Sequence, residues 1–454
     1  MGPSNPTSRT VAREVAGRLA AHGHRALFAG GCVRDRLLGL TPGDYDVATS
    51  ATPEQVVGLF PRSVTVGARF GVVVVPREGA DVEVATFRAD GLYVDGRRPE
   101  GVTFSDPPTD AARRDFTVNG LFEDPVTGEV LDYVGGLPDL KARLLRAIGD
   151  PEARFREDHL RLLRGVRFAL RLRFAIEPRT FLAMKRLAPL AADVSPERTR
   201  DELVKILRAG RGGALRLLAR TGLLEVVLPE VAAMRGVPQP PLYHPEGDVF
   251  VHTALVLDRL DLDGQDDEAV ETLLLGALLH DVAKPPTRTT DPDGRIRFNG
   301  HDALGTTMSE ALLERLRFPN RRVDAVKDLV ATHMSFPNLP KMRAHRVRQF
   351  LGDPAFPARL VLHRADCGAS HGDLSLAAFC EERIESFRSE PILPPPLITG
   401  RDLLDAGYVP GPRLGALLAW VREQQLEGAL LEREAAVRRV LQDFPPASQE
   451  TPPR

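Results

Sequence analysis

Cysteine is scarce in this 454-residue chain: Cys32, Cys367 and Cys380 form an odd, widely spaced set with no CxxC pair. That excludes a secreted disulfide framework and points to a reducing, cytoplasmic compartment. Neither charge dominates, since 60 Lys plus Arg face 62 Asp plus Glu for a net charge of -2, so a globally polycationic binder is excluded and any nucleic-acid contact falls to local basic patches. No run approaches the roughly 20 apolar residues that cross a bilayer, and the opening MGPSNPTSRT has no apolar signal core. Aromatic residues are only 6% of the chain, too few for an obvious single-strand stacking platform, so any RNA is expected to be read by shape. At about 100 to 200 residues per domain, a soluble chain of two to four domains remains.

What is present changes character along the chain. Between residues 11 and 150 a helical stretch (VAREVAGRLAAH) alternates with β-branched runs such as SVTVGARFGVVVV and DVEVATF, broken by Gly, Pro and Asp. After Pro151 the strand signals fade into long Leu, Ala, Arg and Glu segments with helical periodicity. The expected fold class is α+β: a head at 11–150, a helical neck at 151–240, a body at 245–390 and a tail at 391–444, with disordered ends at 1–10 and 445–454. The Pro-rich stretches 237–245 and 391–396 are the expected linkers, because proline lacks a backbone donor and stops helices.

Three segments carry chemistry toward the N-terminal side. In LFAGGCVRDRLLG a strand runs into Gly30-Gly31 and a helix opening at Cys32, so backbone N–H groups there, with Gly31 and Arg34, suit a phosphate. In GDYDVATS, Asp44 and Asp46 sit at i and i+2, which on a strand places both carboxylates on one face, close enough to share hard divalent cations such as Mg²⁺. Alone, this DxD also reads as a polar turn after Pro42-Gly43. Glu83 falls on the face opposite Val82 and Val84 and is a candidate third carboxylate, or else a solvated strand residue.

In ARRDFTVNG, Arg113 and Arg114 offer guanidinium forks that match phosphate oxygens, and Asp115 can accept from a ribose hydroxyl; a surface charge cluster has the same composition. The third segment, EDHLRLLRGVRF, spaces Asp158, Arg161, Arg164 and Arg167 by three, predicting one slowly rotating helix stripe with Leu160, Leu163 and Phe168 turned away from it. An amphipathic helix with i,i+3 ion pairs fits equally well.

Together and in this order, GGCVRDRLLG, GDYDVATS, TFRADGLYVDGRRPEGVTF, RRDFTVNG, EDHLRLLRGVRF and the tail LITGRDLLDAGYVPGPRLGALLAWVREQQLEG resemble the class II nucleotidyltransferases of the polymerase-beta superfamily, the tRNA CCA-adding enzymes and bacterial poly(A) polymerases. The resemblance implies Mg²⁺ ligands at Asp44 and Asp46, phosphate and nucleotide contacts at Gly31, Arg34 and Arg114, a base-reading pair at Asp158 and Arg161, and triphosphate support from Arg164 and Arg167. An aspartate only accepts and an arginine only donates, which suits the amine donor and ring-nitrogen acceptor shared by adenine and cytosine and opposes uracil and guanine. The substrates so implied are CTP, ATP and a tRNA lacking its complete 3′ CCA. The segment 88–112 resembles the loop kept by complete CCA-adding members, and VGARFGVVVV resembles their pattern more than that of the poly(A) polymerases. Gly120, where the family usually has Ala, departs from the pattern and is expected to loosen packing.

A fourth constellation, His252, His280-Asp281 and Asp366, has the H…HD…D arrangement of HD-type metal phosphohydrolases, with His301, Asp302 and His333 as further ligand candidates. Imidazoles and carboxylates jointly suit a borderline divalent ion of Mn, Ni, Fe or Zn type that activates water. Four of the 11 histidines (252, 280, 301 and 333) fall within 82 residues, a density that scattered core histidines explain poorly. The resemblance implies substrates such as 2′,3′-cyclic or terminal phosphates on RNA. Between Lys141 and Arg173, ten Lys plus Arg face four acids, a stripe expected to meet phosphates. The competing readings are poly(A) addition, an HD phosphohydrolase whose head only grips RNA, and a non-catalytic RNA chaperone.

Overall fold

A computed structural model describes residues 8–65, 71–91, 96, 101–387 and 391–446. Residues 66–70 of VGARFGVVVV, and 92–95 and 97–100 within the 88–112 loop, lie outside the described residues. The chain forms two compact units, Met1–Ala233 with Leu312–Phe318, and Met234–Ala311 with Pro319–Arg454.

The first unit begins with helix α1 (Ser8–Ala21), whose Val11, Val15 and Leu19 recur every fourth residue and are buried against the sheet. The strands are β1 (Ala26–Ala29), β2 (Val47–Thr49), β3 (Val64–Thr65), β4 (Val72–Val75), β5 (Val82–Thr86), β6 (Arg88–Asp90), β7 (Val102–Phe104), β8 (Leu121–Glu123) and β9 (Val130–Asp132). Seven of them make one mixed sheet in the order β3-β4-β5-β2-β1-β8-β9, and β6 pairs with β7 as a separate antiparallel ribbon. Two registers fix the neighbourhood of the acidic motif: β1 is antiparallel to β2 with Phe28 opposite Val47, and β2 is parallel to β5 with Val47 opposite Val84. Alternation along β1 sends Leu27 and Ala29 into a cluster with Ala48, Phe87, Ala111 and Phe122.

Helices α2 (Gly31–Leu37), α3 (Pro53–Leu59), α4 (Pro107–Ala112) and α5 (Gly136–Ala142) complete this α+β part, and α6 (Pro151–Glu157), α7 (Leu160–Leu172), α8 (Pro178–Leu187) and α9 (Pro196–Gly210) follow it. Two details differ from the sequence expectation. The helix after the double glycine opens at Gly31 rather than Cys32, with Gly30 as its cap. The segment expected to be one helix breaks at Asp158, which has extended backbone angles (φ -139°, ψ 105°) between α6 and α7.

The second unit is almost wholly helical. Its helices Val249–Arg259, Asp267–Leu279, His301–Arg315, Asn320–Thr332 and Phe356–Ala369 carry the histidine and aspartate constellation on their length or at their ends. At its C-terminal end Ile398, Leu403, Tyr408, Leu417, Val421, Ala436 and Val440 make a separate apolar cluster. The 391–396 stretch is tied down rather than free: Arg348, Arg422 and Gln425 donate to the carbonyls of Ile392, Pro394 and Pro395 at 2.9, 2.6 and 2.7 Å. Proline has no N–H to give, but its carbonyl still accepts. In the 237–245 stretch, Gln239 is buried and accepts from Lys284 at 2.7 Å. Among the described residues, no helix is long and apolar enough to cross a membrane. All three cysteines are buried and free.

Candidate active site and metal centre

A polar cleft of about 810 Å³ in the first unit is lined by Gly31, Arg34, Asp44, Asp46, Arg114, Asp115, Asp158, Arg161, Arg164 and Arg167, among others. Those ten head-site residues named from the sequence therefore meet in one place, together with Arg113. Asp44 and Asp46 lie in the extended stretch just ahead of β2 rather than on the strand itself, yet the ladder already runs there, because Ala29 donates its N–H to the Asp46 carbonyl at 3.1 Å. Burial alternates through the motif, with Asp44 exposed, Tyr45 buried and Asp46 half-buried, so both carboxylates share the open face. Burial, then the charges of Asp44 and Glu83, push the Asp46 carboxyl up to about 6, against the pull of Arg114. Three acids this close repel one another, which is the condition a hard divalent cation relieves. Glu83 is exposed on β5 and is not among the cleft-lining residues; it bears on the pair through its charge.

The cationic side is held by acids and by one aromatic ring. Arg34 is buried and pairs with Asp35 at 2.6 Å while also donating to the Asn119 side chain. Arg114 donates to Asp110 at 3.0 and 3.2 Å and to the Asn119 carbonyl at 3.2 Å. Arg167 pairs with buried Glu202 of α9 at 2.9 Å, and Arg171 with Asp35 at 2.8 Å. Phe168, expected to face away, instead lies at the centre of this group: the guanidiniums of Arg34, Arg164 and Arg167 stand 5.2, 5.2 and 4.5 Å from its ring centroid. Leu160 also lines the cleft.

Asp115 does not present a free carboxylate. One oxygen accepts from the Phe116 N–H and the Asn119 amide at 2.8 and 3.0 Å, and the other from Arg164 at 2.7 and 2.8 Å. Burial alone would raise it, but Arg164 and Asn119 outweigh that and hold it at about 2. Arg146, Arg154, Arg161, Arg164, Arg167 and Arg171 of the basic stretch all have acidic partners within the chain, so much of the expected phosphate stripe is internally neutralised.

The second unit gathers His252, His280, Asp281, His301 and His333, all buried, with Asp366 3.0 Å from His252. Each imidazole has its Nδ1 engaged: His252 with Glu246 at 2.6 Å, and His280, His301 and His333 with the carbonyls of Ala277, Phe298 and Val330 at 2.9, 2.7 and 2.6 Å. With those carbonyls accepting, the neutral rings of His280, His301 and His333 turn bare Nε2 lone pairs inward. The Nε2 atoms of His252 and His280 lie 3.4 Å apart and those of His301 and His333 3.1 Å apart, with Asp281 between the pairs at 3.2 to 3.8 Å. Lone pairs converging on a buried carboxylate fit a divalent metal of borderline softness. Asp302 is absent from these ligand groups among the described residues.

Comparison with known proteins agrees with this geometry. Family models match for a poly(A) polymerase head domain at residues 26–146, a probable RNA and SrmB-binding site of polymerase A at 173–235, and an HD domain at 249–366. The CCA-adding enzyme of Levilactobacillus brevis is 33% identical over 441 residues, spanning 95% of this chain and 97% of that protein. The chain belongs to the CCA-adding enzyme family. The member from Geobacillus stearothermophilus is 46% identical over 217 residues, 47% of this chain and 53% of that one. The crystal structure of the Bacillus stearothermophilus CCA-adding enzyme in complex with CTP superposes with a TM-score of 0.70 at 28% identity, covering 98% of each chain.

Like its relatives this CCA-adding family member is a nucleotidyltransferase, and its polymerase and HD parts imply the use of divalent metal. Sequence reasoning missed several residues of the cleft. Arg198 donates to both oxygens of Asp158 at 3.1 Å, and Glu202 one turn later holds Arg167. Neither stands near a motif in the sequence; the packing of α9 along α7 brings Arg198 into the cleft lining and sets Glu202 behind it as the partner of Arg167. Asn119 was within reach, since it ends the RRDFTVN run and is the side chain joining Arg34 to Asp115.

Proposed function

We propose that this chain rebuilds the 3′ CCA end of tRNA from CTP and ATP without a nucleic-acid template, through attack of the RNA 3′-hydroxyl on the α-phosphate with release of pyrophosphate. The observation that supports this most is the single cleft in which the Asp44/Asp46 pair faces Asp158 and Arg161. Asp44 and Asp46, with Glu83 behind them, would hold Mg²⁺, which supplies charge neutralisation at the reacting phosphate when bound. Arg114, Arg164 and Arg167, with Arg34 beneath them, bind the triphosphate, and their acidic and aromatic partners keep them in place before substrate arrives. Asp158 accepts from the exocyclic amine of C or A and Arg161 donates to the ring nitrogen, so uracil and guanine each leave buried polar groups unpaired at roughly 1 to 3 kcal/mol apiece. Asp115 orients Arg164 and Asn119 rather than a ribose hydroxyl, because its oxygens already accept four donors.

The head spans 11–150 and the neck 151–240, followed by the HD body at 245–390 and a tail at 391–444, in a cytoplasmic enzyme. The convergent histidine lone pairs around Asp281 favour a second activity, hydrolysis of 2′,3′-cyclic or terminal RNA phosphates, with an ion of Mn, Ni, Fe or Zn type. Extension of a tRNA lacking CCA, followed nucleotide by nucleotide with labelled CTP and ATP, tests the main reading. Addition of C, C and then A followed by arrest is expected; unlimited A tails without C would identify a poly(A) polymerase instead, and no extension at all, beside phosphate hydrolysis that survives Asp44→Ala with Asp46→Ala, would leave only the HD chemistry.

A further inference from the structure

Asp158 is the only member of the base-reading pair that no regular element holds. It sits in extended backbone between α6 and α7; its carbonyl accepts from the Arg161 N–H at 3.0 Å, and among the described residues the one local bond of its carboxylate is a 3.2 Å acceptance from the Leu160 N–H. Arg161 is pinned from three sides, donating to the carbonyls of Arg154 and Arg113 at 2.9 and 3.0 Å and pairing with Glu157. Both oxygens of Asp158 are instead spanned by one nitrogen, Nη2 of Arg198, at 3.1 Å each. A carboxylate offers about four lone-pair directions. A single nitrogen set symmetrically between the two oxygens occupies the inner pair; with the Leu160 N–H on Oδ1, the outer lone pair of Oδ2 is left for an exocyclic amine.

Resting on the assignment of Asp158 as base reader, we propose that Arg198 is a positioning residue for nucleotide choice: without touching the base, it sets the plane of the Asp158 carboxylate. Its place on α9 makes the arrangement rigid. Glu202, one turn further along the same helix and buried, holds Arg167 at 2.9 Å, so α9 is anchored to the triphosphate side of the cleft while Arg198 reaches the base side. Without Arg198 the carboxylate rotates in a junction where only the Leu160 N–H still braces it, and the preference for an amine over a carbonyl weakens.

The test is the ratio of kcat/KM for CTP over UTP on a tRNA lacking CCA, in the full chain. Arg198→Ala is expected to lower that ratio at least tenfold, chiefly through a higher KM for CTP, and Arg198→Lys, which restores a cation without the fork, to recover part of it. Because Arg198 acts through Asp158, adding Arg198→Ala to Asp158→Ala is expected to cause no further loss of discrimination. Unchanged discrimination in both Arg198 variants beside relaxed discrimination in Asp158→Ala overturns the positioning role alone. Unchanged discrimination in Asp158→Ala overturns the base-reading assignment beneath it.

Discussion

A methyl group on Gly30 would stand 2.7 Å from Nη1 of Arg114. Gly30 also has a φ of +73°, a conformation that side-chain-bearing residues adopt only at a cost of about 1 to 3 kcal/mol. The expected outcome for Gly30→Ala is therefore a loss of stability of that order, together with a raised KM for both CTP and ATP as Arg114 is displaced. Thermal unfolding and steady-state incorporation read the two effects separately.

Burial, together with the charges of Asp44 and Glu83, gives Asp46 a pH signature. A carboxyl lifted from an ordinary 3.8 to about 6 binds its proton more tightly in the folded chain, so Asp46 weakens the fold above pH 6 and that penalty fades as pH falls through 6. Divalent ions compete with the same proton. Mn²⁺ affinity at the head site should drop by up to about tenfold per pH unit below 6. Glu83→Gln removes one of the charges that raise Asp46 and should shift this midpoint to lower pH; an unmoved midpoint in a Mn²⁺ titration would show that Glu83 has no electrostatic part in the site.

Gly120 tests how the family departure is accommodated. The sequence suggested loosened packing, but a methyl there would meet Cγ2 of Val134 at 2.6 Å, so the valine already fills the space. Gly120→Ala is expected to destabilise by about 1 to 3 kcal/mol through overpacking. Combining it with Val134→Ala should cost less than the two single changes together, measured as a double-mutant cycle in urea.

At the HD cluster, Glu246 holds Nδ1 of His252 at 2.6 Å and so sets how that ring faces Asp281 and Asp366. Replacing such a supporting group commonly costs about 10- to 100-fold in metal affinity. Glu246→Ala should show that loss by calorimetry with Mn²⁺ or Ni²⁺, while CTP incorporation at the head site stays at the level of the unaltered chain. A parallel fall in incorporation would tie the two centres to one another.

Much of this architecture was readable in the residues. The double glycine, the DxD spacing and the arginine run are local signals, each a few residues long, and β-strand periodicity alone placed Asp44 and Asp46 on a common face. Two kinds of feature were not local. The break at Asp158 has no proline or glycine to announce it, and helical spacing therefore predicted a continuous stripe with Phe168 turned away. Arg198 and Glu202 sit among ordinary charged residues of an amphipathic helix, and only the packing of α9 along α7 gives them partners. In the same way, the prolines at 391–396 signalled where helices stop, while the side chains that fasten their carbonyls come from positions 348, 422 and 425.

The shared brace on Asp158 bears on redesign. On the proposed reading, exchanging Asp158 and Arg161 for a pair that donates to a carbonyl, as a UTP-incorporating variant would need, removes the carboxylate whose two oxygens the Arg198 guanidinium spans. Recoding the enzyme is thus a three-position problem, and libraries confined to 158 and 161 are expected to yield indifferent polymerases rather than ones with a new alphabet.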